Sequence, residues 1–388
     1  MKKKIAILGS TGSIGCSTID IIKKNKNHFN VVLLTANKNY KKLIKQAKSV
    51  NAKNVLINDK SLFKKVKKGL IKTSTKTFAG QVPINKIIDK KVDYTIAGIV
   101  GIAGLQPTLD AIKASKAIAI ANKESIICGW NLILKQIKKN STKIYPLDSE
   151  HFSIMELTKN VTNEEVEEII ITASGGPFLN LPLKKLKNVK AKEAIKHPNW
   201  SMGKKISVDS ANLMNKVFEA IEAFKIFNFD KSKYKIIIHP QSYVHSIIRF
   251  KNGLIKMILY NTDMKIPISN ILFGKKRYIC NTIKFSEKRF NNLTFKEVNT
   301  KQFPAVHLIK KILKLGPSTP TIINAANEVL VDLFLTNKIA FLDIVKVINK
   351  IIKDKEFKKY AKSTPKSIND IKKTDYWARL KTIAICVK

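Results

Sequence analysis

The sequence is poor in acidic residues and almost lacks arginine. Its 388 residues contain 28 Asp plus Glu against 72 Lys plus Arg, which gives a formal net charge of +44. Arginine accounts for only four of the bases, at positions 249, 277, 289 and 379. Surfaces that read nucleic acid usually concentrate their bases on one face and use arginine, whose planar guanidinium fits phosphates and base edges. Scattered lysines therefore argue against a dedicated nucleic-acid surface, although a positive field helps to attract anionic substrates.

Cysteine is also scarce, and long apolar runs are absent. The four cysteines, Cys16, Cys128, Cys280 and Cys386, are far apart and form no Cys-x-x-Cys pair, which predicts free thiols in a reducing cytosol. The N-terminus enters a Gly-rich turn after four apolar residues, so no signal peptide is predicted. No run approaches the length of a membrane span. We expect a soluble cytoplasmic protein, and its 44% hydrophobic content suffices for two or three domains.

Apolar runs alternate with helical patterns over the first third of the chain. The strand-like runs include KIAIL, VVLLTA and AIAIAN, and amphipathic stretches such as YKKLIKQAKSV lie between such runs. This alternation predicts right-handed crossovers and a doubly wound parallel sheet. We therefore predict an α/β protein whose first domain, residues 1–147, contains this sheet.

The remainder of the chain has a different pattern. The strand-like runs EEIIITAS, KIIIHP, HSIIRF and LIKMILY occur with a polar loop at 175–205 and a helical stretch at about 211–227. This mixture predicts an α+β domain at residues 148–274. A polar, irregular stretch predicts a linker at 275–301, and helical periodicity interrupted by proline predicts a C-terminal helical bundle domain at 302–388.

The segment ILGSTGSIG places Gly9, Gly12 and Gly15 between the first predicted strand and the first helix. Glycines at this position let the backbone approach a pyrophosphate, which the N-terminus of the helix then stabilises. The alternative is a tight strand-to-helix turn in some other α/β protein. The second strand ends at Lys38 and Asn39 without an acid for a ribose hydroxyl, which favours NADP over NAD.

Two acids follow another apolar strand, in the segment IYPLDSEH. Asp148 and Glu150 are two residues apart and can point to one side of an extended backbone, as a hard divalent cation requires. The alternative is that they cap a helix that begins at Ser149 or His151. Glu219 is the candidate third acid, in a helix where Asn215 lies one turn earlier on the same face; an amphipathic helix with a solvated polar face is the alternative.

Other polar segments follow predicted strands or interrupt loops. ANKES places Lys123 and Glu124 at the carboxyl edge of a strand, where they face a ligand or where Asn122 caps a helix. SGGPF offers a hydroxyl and backbone N–H groups after a strand.

The loop KHPNWSMG carries Trp200 and Met202, as expected either of a lid that closes over a substrate or of residues buried beneath the loop. His239 and His245 are spaced to share a strand face, but such residues are more often hydrogen-bonded core histidines than metal ligands.

Seven polar or glycine-containing segments occur in one order: GSTGSIG, ANKES, LDSEH, ASGGPF, HPNWSMGKKISVDSANLMNK, IHPQS and INAANE. In this the chain resembles the 1-deoxy-D-xylulose 5-phosphate reductoisomerase family over nearly its whole length. The resemblance implies an NADPH-binding domain, a catalytic domain and a C-terminal helical domain in a homodimer that needs no nucleic acid or membrane. The family has Gly before the Lys-Asn pair, whereas this chain has Asn37.

The resemblance also implies a role for individual residues. One Mg²⁺ or Mn²⁺ ion would be held by Asp148, Glu150 and Glu219, which with Lys123 form the catalytic group. The phosphorylated sugar substrate would contact Lys123, Ser149, Glu150, Ser174, His197, Trp200, Met202, Ser210, Asn215, Lys216 and Glu219. NADPH would contact Thr11, Gly12, Ser13, Ile14, Asn37, Lys38, Asn39, Asn122, Glu124 and Gly203.

The implied reaction converts 1-deoxy-D-xylulose 5-phosphate to 2-C-methyl-D-erythritol 4-phosphate, for isoprenoid precursor synthesis. The metal acts as a Lewis acid on two substrate oxygens while the carbon skeleton rearranges, and NADPH then supplies hydride. Two alternatives remain open at this point. One is a metal-assisted NADP-dependent dehydrogenase of a small phosphorylated substrate without rearrangement, and the other is a basic nucleic-acid-binding protein that keeps a dinucleotide fold.

Overall fold

The computed structural model of the chain describes residues 1–200, 202–274 and 287–387. These residues divide into two compact units. The first contains residues 1–152 together with 263–274, and the second contains 153–262 together with the described residues from 287 onward. No helix in the described part of the chain is long and apolar enough to cross a membrane.

The first unit is built on a parallel sheet of seven strands. In chain order these are β1 (Lys3–Leu8), β2 (Phe29–Ala36), β3 (Asn54–Ile57), β4 (Lys76–Ala79), β5 (Val92–Ala97), β6 (Ser115–Ile120) and β7 (Lys143–Pro146). Their spatial order is β4-β3-β2-β1-β5-β6-β7, so the direction of winding reverses at β1. The central strands are apolar and buried on both faces, as expected of a sheet covered by crossover helices. The predicted doubly wound parallel sheet is confirmed.

Seventeen α-helices occur among the described residues. In chain order they are α1 (Ser13–Lys24), α2 (Tyr40–Val50), α3 (Phe63–Gly69), α4 (Ile84–Ile87), α5 (Leu105–Lys113), α6 (Lys123–Asn140), α7 (Ser149–Leu157), α8 (Ala191–Ala194), α9 (Lys204–Ala211), α10 (Met214–Phe227), α11 (Lys265–Phe273), α12 (Glu287–Asn291), α13 (Leu308–Leu315), α14 (Thr319–Leu335), α15 (Asp343–Ile352), α16 (Phe357–Ala361) and α17 (Ile368–Cys386). Local sequence explains several of their ends. Asn39 and Asn122 accept hydrogen bonds from backbone N–H groups as N-caps of α2 and α6, and Asn51 ends α2 in the left-handed conformation.

Helix α11 belongs to the first unit, although it is encoded after much of the second. The ring of Phe273 packs edge-on against Phe29, with centroids 5.2 Å apart, and also contacts His28. Lys3 Nζ donates to the Leu272 carbonyl at 2.6 Å. The boundary predicted at residue 274 instead groups this helix with the α+β domain, because chain order alone does not reveal a segment that returns to an earlier unit.

The second unit contains a mixed sheet of five strands, in agreement with the predicted α+β domain. They are β8 (Val166–Ala173), β9 (Tyr234–Ile238), β10 (Val244–Phe250), β11 (Ile255–Leu259) and β12 (Lys296–Glu297). The spatial order is β11-β10-β8-β9-β12, with only β8 and β9 parallel. Buried Ile169, Ile171 and Ile248 of the sheet pack with Ala220 and Ala223 of α10. This contact places the polar face of α10 away from the sheet.

The C-terminal part of the second unit is helical, as predicted. Helix α14 is buried along most of its length and packs against α15 and α17. Arg379 of α17 pairs with Glu328 of α14 and, at 2.7 Å, with Asp375 of its own helix. Ser367 and Asp370 form a capping box at the start of α17.

Three local predictions differ from the structure. The stretch 211–227 contains the end of α9 and then α10, because Leu213 between them has a φ of +63° and interrupts the helix. The predicted loop 175–205 includes a 3₁₀ turn at Leu183–Asn188 and the short helix α8. The predicted linker begins outside the described residues, and its remainder contains α12 and β12.

Candidate active site

The turn between β1 and α1 lies where the sheet reverses its order, which is where open α/β sheets bind ligands. Gly12 is the N-cap of α1 and contributes no side chain, and the first turn of α1 contains no acid. A Cβ on Gly15 would lie 2.4 Å from Ser10 Cα, so the helix can approach the turn only with glycine there. The turn therefore fits a dinucleotide pyrophosphate, with Thr11, Ser13 and Ile14 beside the N-terminus of the helix.

Two neighbouring elements hold this turn in place. Gly9 N donates to Thr35 Oγ1 at 2.9 Å, from the end of β2. The Ser10 hydroxyl donates to Gln46 Oε1, and Gln46 Nε2 donates back to the Ser10 carbonyl, both at 2.8 Å. Ser10 and Gln46 are buried. The shape of the turn is thus fixed by a side chain from α2 as well as by its own glycines.

The end of β2 presents amides and one base. Asn39 caps α2 by accepting from Lys42 N, and Asn37 Oδ1 accepts from Asn58 Nδ2 at 3.1 Å. Asn37 does not adopt a positive φ, so the backbone here needs no glycine. Lys38 lies between them, and the strand ends without an acid, which suits a phosphate on the adenosine ribose.

Asn122 organises the start of α6 at the carboxyl end of β6. Its Oδ1 accepts from Ser125 N at 2.6 Å, and its Nδ2 donates to the carbonyls of Ile99 and, at 2.9 Å, Gly101. Glu124 lies in the first turn of α6, with its Oε2 3.3 Å from Asn122 Nδ2. The helix-cap interpretation of Asn122 is confirmed, and the same contacts place Lys123 at the first position of the helix.

Asp148 and Glu150 follow β7 at the start of α7, in the first unit. Lys123 Nζ lies 3.4 Å from Asp148 Oδ2, and His151 Nδ1 lies 2.9 Å from Asp148 Oδ1. Burial opposes ionisation of this carboxyl, but the positive charges of Lys123 and His151 outweigh burial and hold the pKa of Asp148 well below its usual range. The Ser149 hydroxyl donates to Glu150 Oε2 at 2.5 Å. The strand end thus presents an ionised carboxylate of the kind that a hard cation binds.

Helix α10 of the second unit carries the third acid. Glu219 is buried, and its Oε2 lies 2.7 Å from Lys216 Nζ. Asn215 Nδ2 donates to Glu219 Oε1, so the two side chains share one face of the helix as their spacing predicted. A buried carboxylate with a cation and an amide beside it is unlike the solvated polar face that was the alternative.

Ser174 and His197 come together within the second unit. His197 Nδ1 accepts from the backbone N–H groups of Asn199 and Trp200, so Nε2 carries the proton and donates to Ser174 Oγ at 2.9 Å. Ser174 Oγ also accepts from Gly176 N at 3.1 Å. Because this oxygen accepts twice, the Ser174 hydroxyl has its own proton left to donate to an acceptor such as a phosphate oxygen.

The charge state of His197 follows from its surroundings. Burial, and then the positive charge of Lys216, lower its pKa to about 4. The ring is therefore neutral near pH 7 and acts as a hydrogen-bond donor through Nε2. The glycines of the SGG turn bring this pair up to α9: a Cβ on Gly176 would lie 2.9 Å from the Ser210 carbonyl oxygen.

Asn199 anchors the loop from His197 to Gly203. Asn199 Nδ2 donates to the Pro240 carbonyl at 2.6 Å and to Ser242 Oγ at 2.9 Å. The Trp200 ring lies edge-on to His245, with centroids 6.1 Å apart. Trp200 and Met202 are half-buried, and Gly203 is the exposed N-cap of α9.

His239 and His245 are structural histidines in this fold. His239 Nε2 accepts from Tyr243 N and Val244 N, and its Nδ1 donates to the Thr294 carbonyl at 2.9 Å. His245 Nε2 lies 3.1 Å from the Tyr260 carbonyl oxygen, and its ring stacks on that of Tyr260. These contacts favour the hydrogen-bonded interpretation of the pair over a metal site.

The sequence-predicted residues thus form three local groups, namely the turn after β1 with the end of β2, the ends of β6 and β7, and the surface of α9, α10 and the SGG turn. Two contributors were not predicted from sequence. The sequence could have predicted the contact of His151, since this residue follows Asp148 by three residues at a helix start. It could not have predicted that of Gln46, because nothing in its spacing from Ser10, 36 residues away, indicates contact.

Known proteins match the chain along its length. Sequence models of the family match residues 5–129 (1-deoxy-D-xylulose 5-phosphate reductoisomerase), 144–227 (its C-terminal domain) and 259–381 (DXP reductoisomerase C-terminal domain). The reductoisomerase of Pelagibacter ubique (strain HTCC1062) is 48% identical, covering 99% of this chain and 100% of that protein. That of Wolbachia pipientis wMel is 44% identical, covering 97% and 96%.

Solved structures of this family also superimpose on the chain. The Zymomonas mobilis enzyme in complex with NADPH has a TM-score of 0.92 at 37% identity, covering 100% of this chain and 99% of that one. A reductoisomerase in complex with NADPH, fosmidomycin and magnesium has a TM-score of 0.92 at 31% identity, covering 99% and 98%. On these matches the chain belongs to the 1-deoxy-D-xylulose 5-phosphate reductoisomerase family.

Proposed function

We propose that this protein converts 1-deoxy-D-xylulose 5-phosphate to 2-C-methyl-D-erythritol 4-phosphate, using NADPH and one divalent cation, in the synthesis of isoprenoid precursors. The observation that carries this is the full-length match to reductoisomerases at 48% identity. Six of the seven motifs of the resemblance lie at strand ends, at helix starts or in the anchored loop, and the seventh, INAANE, lies within α14. A dehydrogenase without skeletal rearrangement is not favoured by these matches.

NADPH would bind with its pyrophosphate at the N-terminus of α1, against Thr11, Gly12, Ser13 and Ile14. The uncapped helix start and the close approach allowed by Gly15 support this assignment. Lys38, with Asn37 and Asn39, would meet the adenosine end. We assign Asn122, Glu124 and Gly203 to the cofactor as well, with Asn122 shaping the start of α6 at the same time.

We propose Asp148, Glu150 and Glu219 as the ligands of the cation, which would be Mg²⁺ or Mn²⁺. Carboxylate oxygens suit both ions, and the lowered pKa of Asp148 keeps its carboxylate deprotonated near neutral pH. When bound, the cation would stabilise negative charge that develops on two substrate oxygens. Lys123 would help to position the reacting end of the substrate, and its ion pair with Asp148 orients both groups.

The substrate phosphate would bind to Ser174, His197, Ser210, Asn215 and Lys216. The neutral His197 ring donates to Ser174, and the twice-accepting Ser174 hydroxyl can donate outward to a phosphate oxygen. Lys216 supplies positive charge close enough to His197 to lower its pKa. We assign Ser149 to the substrate beside Glu150.

The loop that carries Trp200 and Met202 would close over the bound substrate. Two half-buried apolar side chains on a loop anchored by Asn199 are suited to exclude water, which protects an aldehyde that awaits hydride. The loop would act as a lid whose position depends on ligand.

The test is the absorbance of NADPH at 340 nm during incubation with 1-deoxy-D-xylulose 5-phosphate. We expect oxidation that stops when a chelator is added and resumes with excess Mg²⁺. Product analysis distinguishes the alternative dehydrogenase, since the reductoisomerase yields a branched methyl tetritol phosphate. An unbranched alcohol, or activity indifferent to chelation, would contradict the proposal.

We also propose that the enzyme is a homodimer that meets its partner copy through β11. Leu254, Ile255 and Met257 are 57%, 58% and 40% exposed, and β11 is an edge strand of its sheet. Exposed apolar edge strands are normally covered, because they otherwise pair with other chains. Sedimentation velocity should give a dimer for the natural chain and a monomer for Ile255→Lys; a natural chain that sediments as a monomer would refute the assembly.

A cytoplasmic location completes the proposal. Among the described residues, Cys16 and Cys386 are free thiols, which suits a reducing compartment. The partners we assign are the small phosphorylated sugar and a second copy of the chain, with no role for nucleic acid or membrane. Binding of DNA that persists at physiological salt would count against that assignment.

A further inference from the structure

The INAANE segment, residues 323–328, has no part in the proposed catalytic groups, yet it places two amide side chains in the protein interior. Asn324 and Asn327 are both 0% exposed. Buried amides are costly unless they hydrogen-bond, so their contacts indicate what the segment does. Asn324 donates to Glu328 of the same helix at 3.1 Å, a contact local to α14.

Asn327 instead reaches helix α9. Its Nδ2 donates to Asp209 Oδ1 at 2.8 Å, and Asp209 is 1% exposed. The other oxygen of Asp209 lies 3.1 Å from Lys205 Nζ, one turn earlier on α9. The carboxyl group is therefore buried and held from two sides, and a hydrogen bond to a carboxylate that pairs with lysine is of the stronger kind.

Asp209 immediately precedes Ser210, one of the residues assigned to the substrate phosphate. The backbone at this end of α9 lies against the SGG turn, since a Cβ on Gly176 would come within 2.8 Å of Ala211 Cα and 2.9 Å of the Ser210 carbonyl oxygen. A shift of α9 would therefore change the spacing between Ser210 and Ser174. Asn327 fixes α9 from the side of the C-terminal helices.

We propose that Asn327 and Asp209 are positioning residues for the substrate phosphate, through which helix α14 holds Ser210 at its distance from Ser174. This inference rests on the proposed function and extends it. It assigns the C-terminal helices a part in substrate affinity, although none of their residues is placed in contact with the phosphate. Asn327 supplies Asp209 with a neutral hydrogen-bond donor.

The first variant is Asn327→Asp, which keeps the size of the side chain. Two carboxyl groups this close share a proton, so the second proton is lost only at a higher pH than an isolated carboxyl group requires. While that proton is present the new carboxyl group donates to Asp209, and once it is lost the two repel. We expect the variant-to-natural ratio of KM for 1-deoxy-D-xylulose 5-phosphate to rise from near 1 at pH 6 to roughly tenfold at pH 8.5, with Kd for NADPH unchanged. Using the ratio cancels titration of the substrate itself.

The second measurement is rescue by exchange. Asp209→Asn alone should raise KM, and the double variant Asp209→Asn with Asn327→Asp restores one amide and one carboxylate and should recover most of the loss. Arg379→Met is the matched control, because it removes the ion pair between α17 and Glu328 of α14, and the pair with Asp375 within α17, without touching Asp209. It should lower Tm and leave KM at the natural value.

The outcomes separate the two proposals. If the natural chain does not turn over the substrate, the proposed function fails. If the natural chain is active but KM of Asn327→Asp is pH-independent relative to it, the exchange gives no rescue, or Arg379→Met raises KM equally, then the positioning role is overturned. Should Asn327→Asp not fold at pH 8.5, the exchange variant provides the same decision at pH 7.

Discussion

At the scale of single residues, neighbours decide the charge state on which the proposed chemistry depends. Asp148 and His197 both have pKa values below their usual range, but for opposite reasons. Positive neighbours overcome burial at Asp148, whereas burial itself, together with Lys216, keeps His197 neutral. The first group is thereby an anion suited to a cation, and the second a neutral donor suited to organise a phosphate site.

Asp148→Asn tests the cation assignment. The amide keeps the shape but removes the charge, so we expect kcat to fall by about 100-fold or more while Kd for NADPH changes less than about threefold. Steady-state kinetics and fluorescence titration of NADPH measure the two effects. The control is Asp93→Asn, which removes an acid of the same sheet that pairs with Lys116. Its kcat and its Kd for NADPH should both be close to those of the natural chain. Near-normal turnover of Asp148→Asn would refute the assignment.

The pKa of His197 predicts a pH dependence of stability. In the unfolded chain histidine titrates near 6.5, and in the folded protein this ring titrates at about 4. As pH falls from about 6.5 to about 4, the unfolded state takes up a proton that the folded state does not, so the free energy of unfolding decreases. The Tm advantage of the natural chain over His197→Ala should therefore shrink over this range. A constant difference in Tm between pH 7 and pH 4.5 would show that His197 is not buried neutral.

At the scale of elements, the sequence predicted what depends on local periodicity and on glycine. Strands β1, β2 and β6 were recognisable because they are apolar runs bounded by turns, and the turn at Gly9 because its φ of +78° suits glycine. Strand β4 was missed, since it is a four-residue edge strand with polar Lys76 and Thr77 in half of it. The break between α9 and α10 was missed because Leu213 has no local preference for its conformation.

Gln46→Leu tests whether α2 shapes the cofactor turn. The substitution leaves the Ser10 hydroxyl and carbonyl without their buried partner, which costs about 1–3 kcal/mol and loosens the turn. We expect Kd for NADPH to rise roughly tenfold by fluorescence titration, with KM for the sugar phosphate little changed. Asn54→Leu is the matched control, since Asn54 is a buried amide that donates to the Val32 carbonyl at the start of β3. Equal weakening in both variants would indicate general destabilisation rather than a role in the turn.

At the scale of the whole molecule, the dominant feature is charge. A formal net charge of +44 on 388 residues implies repulsion among lysines in the folded chain. Lys216 is a lysine with a buried acidic partner, Glu219. Surface ion pairs such as that of Lys53 with Asp89 add little stability. The same field would draw a doubly charged sugar phosphate and NADPH towards the protein.

Salt should therefore stabilise this protein. Raising NaCl from 20 mM to 300 mM shortens the Debye length to below about 8 Å and screens the repulsion. We expect Tm to increase by a few degrees in a thermal-shift experiment without ligand. Repeating the titration with an uncharged osmolyte at equal osmolality is the control, and a Tm that stays flat or falls with NaCl would show that self-repulsion is not significant.

The sequence by itself determined the alternation of strands and helices, the glycine turn, and the pairing of residues such as Asn215 and Glu219 that are one helical turn apart. These features follow from the backbone conformations that nearby residues allow. Tertiary structure alone decided which distant side chains meet: Gln46 with Ser10, 36 residues apart, and Asn327 with Asp209, 118 apart. No periodicity links such pairs, because their hydrogen bonds form only where packing brings separate elements together. The pKa values of Asp148 and His197 were decided in the same way, since burial and neighbouring charge are properties of the folded chain.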